Sequence, residues 1–191
     1  MLADRNARRP PLVATDRLVL RELRVADAAG VAAGAGDPRV AKFLVQVPSP
    51  YPVALAKRWV TSRIAWWYEA RGATLAIATR DDPNAMIGTA SLRRSPSNRR
   101  AELGYWLAAG AWGRGYATEA CRAMLELGFG QLGLVRVFAH VIAGNGASCR
   151  VLDKLGMVCE GVQRSHIRKD GERRDLVMYG LLKDEWTTRG A

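Results

Sequence analysis

The sequence predicts an α+β domain built on a mixed, mostly antiparallel sheet of about seven strands, flanked by about four helices. Period-two runs such as TLAIATR (74–80) and MIGTASLRR (86–94) flank the turn DDPN (81–84), the pattern of an antiparallel hairpin. Helical spacing appears instead in LAKRWVTSRIAWWYEAR (55–71), through Leu55, Trp59, Ile64 and Trp67, and in 117–125, through Ala117, Ala120, Cys121, Met124 and Leu125. The order is one strand, then helices, then three consecutive strands, which departs from a strictly alternating βα chain.

The elements follow in that order. RLVLREL, from Arg17, alternates apolar and polar side chains and reads as the first strand. Residues 26–36 and 38–44 are short Ala-rich helices, each with an Asp near its start. Pro48, Pro50 and Pro52 separate them from the helix at 55–71. After the hairpin, the polar loop SPSNRR leads to the strand AELGYWL (101–107). A glycine-punctuated loop (110–116) opens a helix ending near Gly133, and the strand VRVFAHV follows. NGASCRVLDKL (145–155) is a helix stopped by Gly156, and strands near 157–164 and 174–182 close the chain. No repeat or long linker interrupts the series, so 15–191 is expected to form one domain behind a flexible basic arm, 1–14.

Composition narrows the function classes. The chain has 191 residues, 49% hydrophobic and 25% charged, values that fit one sizeable core and exclude disorder as the main state. No window reaches the roughly 20 apolar residues of a membrane helix, and the N-terminus lacks an apolar signal core, so no membrane partner and a cytoplasmic location are expected. Cys121, Cys149 and Cys159 lack CxxC spacing and are expected to be reduced and buried. With His140 and His166 the only histidines, no zinc pattern exists and no metal is expected. All but five of the 29 basic residues are Arg, and the net charge of +11 attracts anions, although an Arg-rich source composition would give the same count.

The informative segment is AELGYWLAAGAWGRGYATEA (101–120): a strand, a loop with Gly110, Gly113 and Gly115, and a helix start. Unpaired amides and the helix dipole make such a start an anion cradle, while the same residues also serve as a plain strand-to-helix turn. Arg114 adds charge at its rim and Thr118 a hydroxyl. No Lys follows the glycines as a P-loop requires, and Thr118 replaces the third glycine of a dinucleotide fingerprint.

ELGYWL, WGRGYATEA and N145-G-A-S148-C-R-V-L-D-K-L-G156-M, in that series, resemble the GNAT acetyltransferases, within them the RimJ/RimL-like branch that acetylates protein N-termini. The resemblance runs from about Arg17 to Trp186. In the family pattern Gln/Arg-x-x-Gly-x-Gly/Ala this chain supplies Trp112, Gly115 and Ala117, so Trp112 departs at a position where backbone amides act. Met157 replaces the usual Phe.

The resemblance implies a sheet whose strands at 101–107 and 134–141 begin paired and splay apart, and acetyl-CoA as co-substrate in the gap. Backbone groups near Trp106 and Leu107 would pair with its pantetheine arm, and Trp112, Gly113, Arg114, Gly115, Tyr116, Ala117 and Thr118 would hold its pyrophosphate. Asn145 would contact the pantetheine region, Arg150 would reach phosphates, and Ser148 would protonate the departing thiolate. Asn145 and Ser148 also read as helix caps, and Arg150 as a solvated side chain. Glu102 is the base expected, with a salt bridge to Arg93 or Arg99 as its alternative role; in place of an acid used elsewhere in the family after Glu160 and Gly161 stand Ser165 and His166. Trp66, Trp67 and Tyr68 either line the acceptor cleft or pack the helix. The acceptor implied is a primary amine, above all the α-amine of a ribosomal or other protein. A small-amine acceptor and a basic RNA- or ribosome-binding module are the alternatives, and direct nucleic-acid binding is disfavoured because no RRM-like aromatic strand pattern occurs.

Overall fold

Eight strands form one sheet in the computed structural model, which describes residue 10 and residues 12–189. The strands are β1 (Val13–Ala14), β2 (Leu18–Glu22), β3 (Gly72–Thr79), β4 (Met86–Ser95), β5 (Arg100–Leu107), β6 (Arg136–Ile142), β7 (Val158–Lys169) and β8 (Glu172–Leu182). Their spatial order is β1-β2-β3-β4-β5-β6-β8-β7. Every neighbouring pair is antiparallel except β5 and β6. Six helices accompany them among the described residues: α1 (Ala28–Gly36), α2 (Pro38–Ala41), α3 (Val53–Tyr68), α4 (Tyr116–Glu126), α5 (Gly146–Lys154) and α6 (Lys183–Arg189).

Strand alternation divides the core between the two sheet faces. Leu18, Leu20, Leu75, Ile77, Leu92 and Leu103 point to one face, where α4 lays Cys121, Met124 and Leu125 and α5 lays Leu152. The opposite face carries Leu23 and Ala76 beneath Val31 of α1 and Ala56 and Val60 of α3. Because β3 lies between helices on both faces, its residues 72–78 are all buried. The entry to α1 is fixed by an ion pair that is itself buried. Arg21 donates to both carboxylate oxygens of Asp27 at 2.9 Å and also to the carbonyls of Pro83 and Asn84.

Several expectations change. Of the arm expected at 1–14, residues 1–9 and 11 lie outside the described residues, while Val13 and Ala14 pair with β2. Leu55 is exposed, whereas Trp59, Ile64 and Trp67 pack on the core beside the fully buried Ala56 and Val60. Only Cys121 is fully buried; Cys149 is half-buried and Cys159 exposed, because β7 is the sheet edge. The last two strands run to Lys169 and from Glu172, a longer hairpin than the sequence suggests, and α6 follows them. The hairpin's Lys169 is buried and donates from Nζ to the carbonyl of Val47 in the loop between α2 and α3, at 2.7 Å.

Candidate active site

The site is made where β5 and β6 separate. Their parallel ladder holds only Arg100, Ala101 and Glu102 against Arg136, Val137 and Phe138. Beyond Glu102, β5 stays paired to β4 as far as Leu107, and β6 follows β8 as far as Ile142, so the two diverge as the splayed sheet requires. A cavity of about 530 Å³ fills this wedge, from Phe43, Leu44 and Val45 of the loop after α2 to the start of α4.

One wall is the loop before α4. Gly113 and Gly115 sit at φ 75° and 79°, a left-handed conformation that side chains disfavour, and Gly115 caps α4 without any side chain of its own. The first-turn amides therefore face the cavity without an acceptor in their own helix. Glu119 stands in that same first turn, an acid beside an anion cradle. Thr15 and Arg17 engage it: Thr15 Oγ1 donates at 2.6 Å, the Arg17 amide at 3.0 Å and Arg17 Nε at 2.8 Å. Partial burial pushes this carboxyl's pKa up, but those hydrogen bonds outweigh it and hold the group below the usual range. Arg17 also donates to the Arg114 carbonyl at 2.9 Å and lies 5.0 Å from the Tyr116 ring, clamping the loop to the β1–β2 turn.

Most of the predicted binding residues meet here. Trp106, Leu107, Trp112, Gly113, Gly115, Tyr116, Ala117, Thr118, Asn145 and Arg150 all line the cavity, whereas the Arg114 side chain does not. The Leu107 carbonyl accepts from Trp112 Nε1 at 2.9 Å, so the departing residue Trp112 braces the end of β5. Asn145 caps α5, its Oδ1 accepting from the Ser148 amide at 3.2 Å.

Two polar pairs line the wedge. On β5, alternation sends Ala101 and Leu103 into the core and leaves Glu102 and Gly104 on the other face. Glu102 receives a hydrogen bond from Arg93 and lies 3.0 Å, through Oε1, from His140 Nδ1 of β6. Burial raises the pKa of this carboxyl, while the His140 and Arg93 hydrogen bonds lower it and prevail. At the other pair, the Tyr105 hydroxyl is 2.8 Å from Ser148 Oγ. Burial drives the Tyr105 pKa far up, so the phenol stays protonated.

Sequence reasoning named Glu102 and Ser148, which line the cavity, and did not name their partners His140 and Tyr105. Of the two salt-bridge partners considered for Glu102, Arg93 is the one observed, and Arg99 instead donates to the Gly133 carbonyl. Trp66, Trp67 and Tyr68 do not line the cavity: Arg63 stacks on Trp66 at 3.5 Å, Trp67 packs on the core and Tyr68 donates to Glu22. Ser165 and His166 are exposed on the last hairpin, outside the cavity. Among the described residues, no three His, Cys, Asp or Glu side chains gather as a metal site needs, and no helix is long and apolar enough to cross a membrane.

Comparison with known proteins agrees with this geometry. Residues 17–158 match the family described as the acetyltransferase (GNAT) domain. The uncharacterised N-acetyltransferase YoaA of Bacillus subtilis is 32% identical over 174 residues, 91% of this chain and 97% of the relative. YdaF of the same organism, named as a candidate ribosomal N-acetyltransferase, is 42% identical over 89 residues, 47% of this chain and 49% of its own length. In three dimensions the chain is similar to RimL, a ribosomal L7/L12 α-N-protein acetyltransferase solved with coenzyme A. That match has a TM-score of 0.80 at 19% identity, covers 91% and 98% of the two chains, and is a likeness of fold.

Proposed function

This chain belongs to the GNAT acetyltransferase family and is an N-acetyltransferase, and from that premise we propose that its acceptor is the α-amine of a protein N-terminus. The observation that carries the reading is that two proton-handling pairs, Glu102–His140 and Ser148–Tyr105, line one cavity together with an anion cradle. Acetyl-CoA supplies an acetyl group already activated as a thioester. The cradle at 113–118 fits its pyrophosphate through backbone amides and the α4 dipole, with Arg150 and Lys154 of α5 adding charge at the same cavity. Trp106, Leu107 and Asn145, along the wedge, suit its pantetheine arm.

The residues then divide the proton work. An amine attacks only when neutral, and the Glu102–His140 pair takes its proton as the new C–N bond forms. Ser148 Oγ gives a proton to the departing sulfur. The protonated Tyr105 hydroxyl suits a donor to Ser148 Oγ, which aims the serine proton outward. One carboxylate–imidazole pair suffices for an α-amine, whose pKa is about 7.7 to 8.0; near neutral pH only about 0.1% of lysine side chains are neutral. The resemblance of YdaF, as it is named, is consistent with a ribosomal acceptor, and the net charge of +11 suits an enzyme that meets its acceptor beside rRNA.

Peptides with one free α-amine and one free lysine, incubated with acetyl-CoA and this chain, are expected to gain the acetyl group at the α-amine, read by fragment mass spectrometry. Acetylation confined to lysine sinks the reading. One observation favours a small free amine instead: Phe43, Leu44 and Val45 narrow the cavity, and Lys169 ties their loop to the last hairpin. A kcat/KM for free amino acids above that for N-terminal peptides decides for that second reading.

A further inference from the structure

We propose that the atom accepting the amine proton is Nε2 of His140, and that Glu102 is its positioning residue. This rests on the N-acetyltransferase reading above and reassigns the base within it.

Both oxygens of the Glu102 carboxylate are engaged, one by Arg93 and the other 3.0 Å from His140 Nδ1. A carboxylate satisfied from two sides, with its ionised form favoured by those same bonds, is a poor proton acceptor near neutral pH. It is a good orienting group. Ionised, it only accepts hydrogen bonds, so the proton between the two residues belongs to Nδ1, and the neutral ring keeps its lone pair on Nε2. Nε2 has no hydrogen-bond partner among the described residues.

The ring is also fixed in place. On β6, Val137, Ala139 and Val141 enter the core, which turns Phe138 and His140 toward the Glu102 face. The Phe138 ring lies 5.4 Å from the imidazole and limits its rotation. His140 is one-quarter exposed and lines the same cavity as Ser148 and Tyr105, so its free nitrogen borders the space an acceptor amine must enter. The arrangement is a carboxylate that sets the tautomer of a histidine, which then acts as the base.

Written through, the proton balance closes. As the amine nitrogen bonds to the acetyl carbon and the carbon–sulfur bond breaks, the amine proton passes to His140 Nε2. The sulfur takes the proton of Ser148 Oγ. His140 then releases its proton to solvent, and Ser148 regains one by way of Tyr105.

The test compares kcat/KM of the parent, His140→Gln and Glu102→Gln at pH 7 on two acceptor peptides. One carries an ordinary α-amine; the other carries a terminal amine made less basic by side-chain fluorination, whose N–H becomes acidic enough during attack to pass its proton to water. His140→Gln is expected to lose about 10² to 10⁴ on the ordinary peptide, the usual contribution of a general base. On the weakened amine the loss shrinks to less than tenfold. Glu102→Gln loses less than His140→Gln on the first peptide, with the same relief on the second. Coenzyme A affinity within twofold of the parent shows that each variant is folded. Equal losses on both acceptors, parent-like activity in His140→Gln, or a larger loss in Glu102→Gln than in His140→Gln each overturn the assignment. A parent chain that acetylates neither peptide overturns the α-amine reading itself, whereas an active parent with unaffected His140→Gln overturns only this inference.

Discussion

Replacing Gly115 by Ala and by Glu separates strain from charge in the cradle. Gly115 caps α4 at φ 79°, where any side chain costs about 1 to 2 kcal/mol, and this cost is common to both variants. A Cβ there meets the Arg17 guanidinium end, 3.3 Å from Nη2, and asks that ion-paired group to yield slightly in both variants alike. The Glu variant adds a carboxylate within about 4 Å of the space the first-turn amides face. Against each phosphate charge that repulsion is about 4 kcal/mol at an effective dielectric constant near 20, falling to about 1 kcal/mol in bulk water. Arg17 does not cancel it, because Glu119 already engages that guanidinium. Because that strain is present with and without ligand, titration calorimetry with coenzyme A is expected to show a loss of less than about tenfold for Gly115→Ala, its cost falling on stability instead. A further loss of about 10- to 1000-fold is expected for Gly115→Glu, since 1.4 kcal/mol is one decade. Equal affinities for the two variants refute the reasoning, because the added carboxylate would then have no effect at the cradle.

Tyr105→Phe removes the hydroxyl that backs Ser148 Oγ, and a partly buried oxygen left without its partner costs about 1 to 3 kcal/mol. It is expected to lower kcat about 5- to 150-fold with coenzyme A affinity unchanged, in stopped-time assays of peptide acetylation; an unchanged kcat removes Tyr105 from the donor end. Asp27→Asn strips the charge from the buried pair with Arg21, a loss of about 3 kcal/mol at the low end of such cases, because Arg21 keeps its carbonyl partners. For a chain of this size the expected fall in Tm is about 6 to 12 °C by calorimetric scan, and a fall below 2 °C contradicts the account.

Legibility in the sequence followed the range of the interactions. Residues 101–118 carry strand, loop and helix start within 18 positions, so the glycine loop before a helix and the face that Glu102 shares with Gly104 are readable from local pattern. His140 was not, because its meeting with Glu102 depends on the β5–β6 register, with Glu102 opposite Phe138, a pairing between residues 36 apart in the chain that no local periodicity encodes. Tyr105 looks like a core aromatic on its strand, and its role appears only when α5 brings Ser148 against its hydroxyl. β7 was cut short because its residues are nearly all exposed, which erases the alternation that marks a half-buried strand. α6 left one signal unused: Glu185 accepts from the Leu182 amide at 2.8 Å, the backward reach of a capping box, three residues past the strand end.

The three-rung ladder between β5 and β6 has a mechanical consequence. It divides the sheet into two plates, β1–β5 and β6–β8–β7, each stiffened by full-length ladders and joined along a narrow hinge. Apolar side chains that bridge the plates, from Met124 and Leu125 of α4 to Val137 and Ala139 of β6, lie on one face, and the Glu102–His140 bond ties the plates on the other. The binding is unequal, like a book glued along its back cover and held in front by one clasp, so the pages part only past the Glu102–His140 bond. Backbone amides on the inner edges past the hinge are expected to exchange with deuterium far faster than those of β3 or β8. Any extended ligand that bonds to both edges would splice the plates into one elastic unit and slow that exchange on either side of the wedge at once.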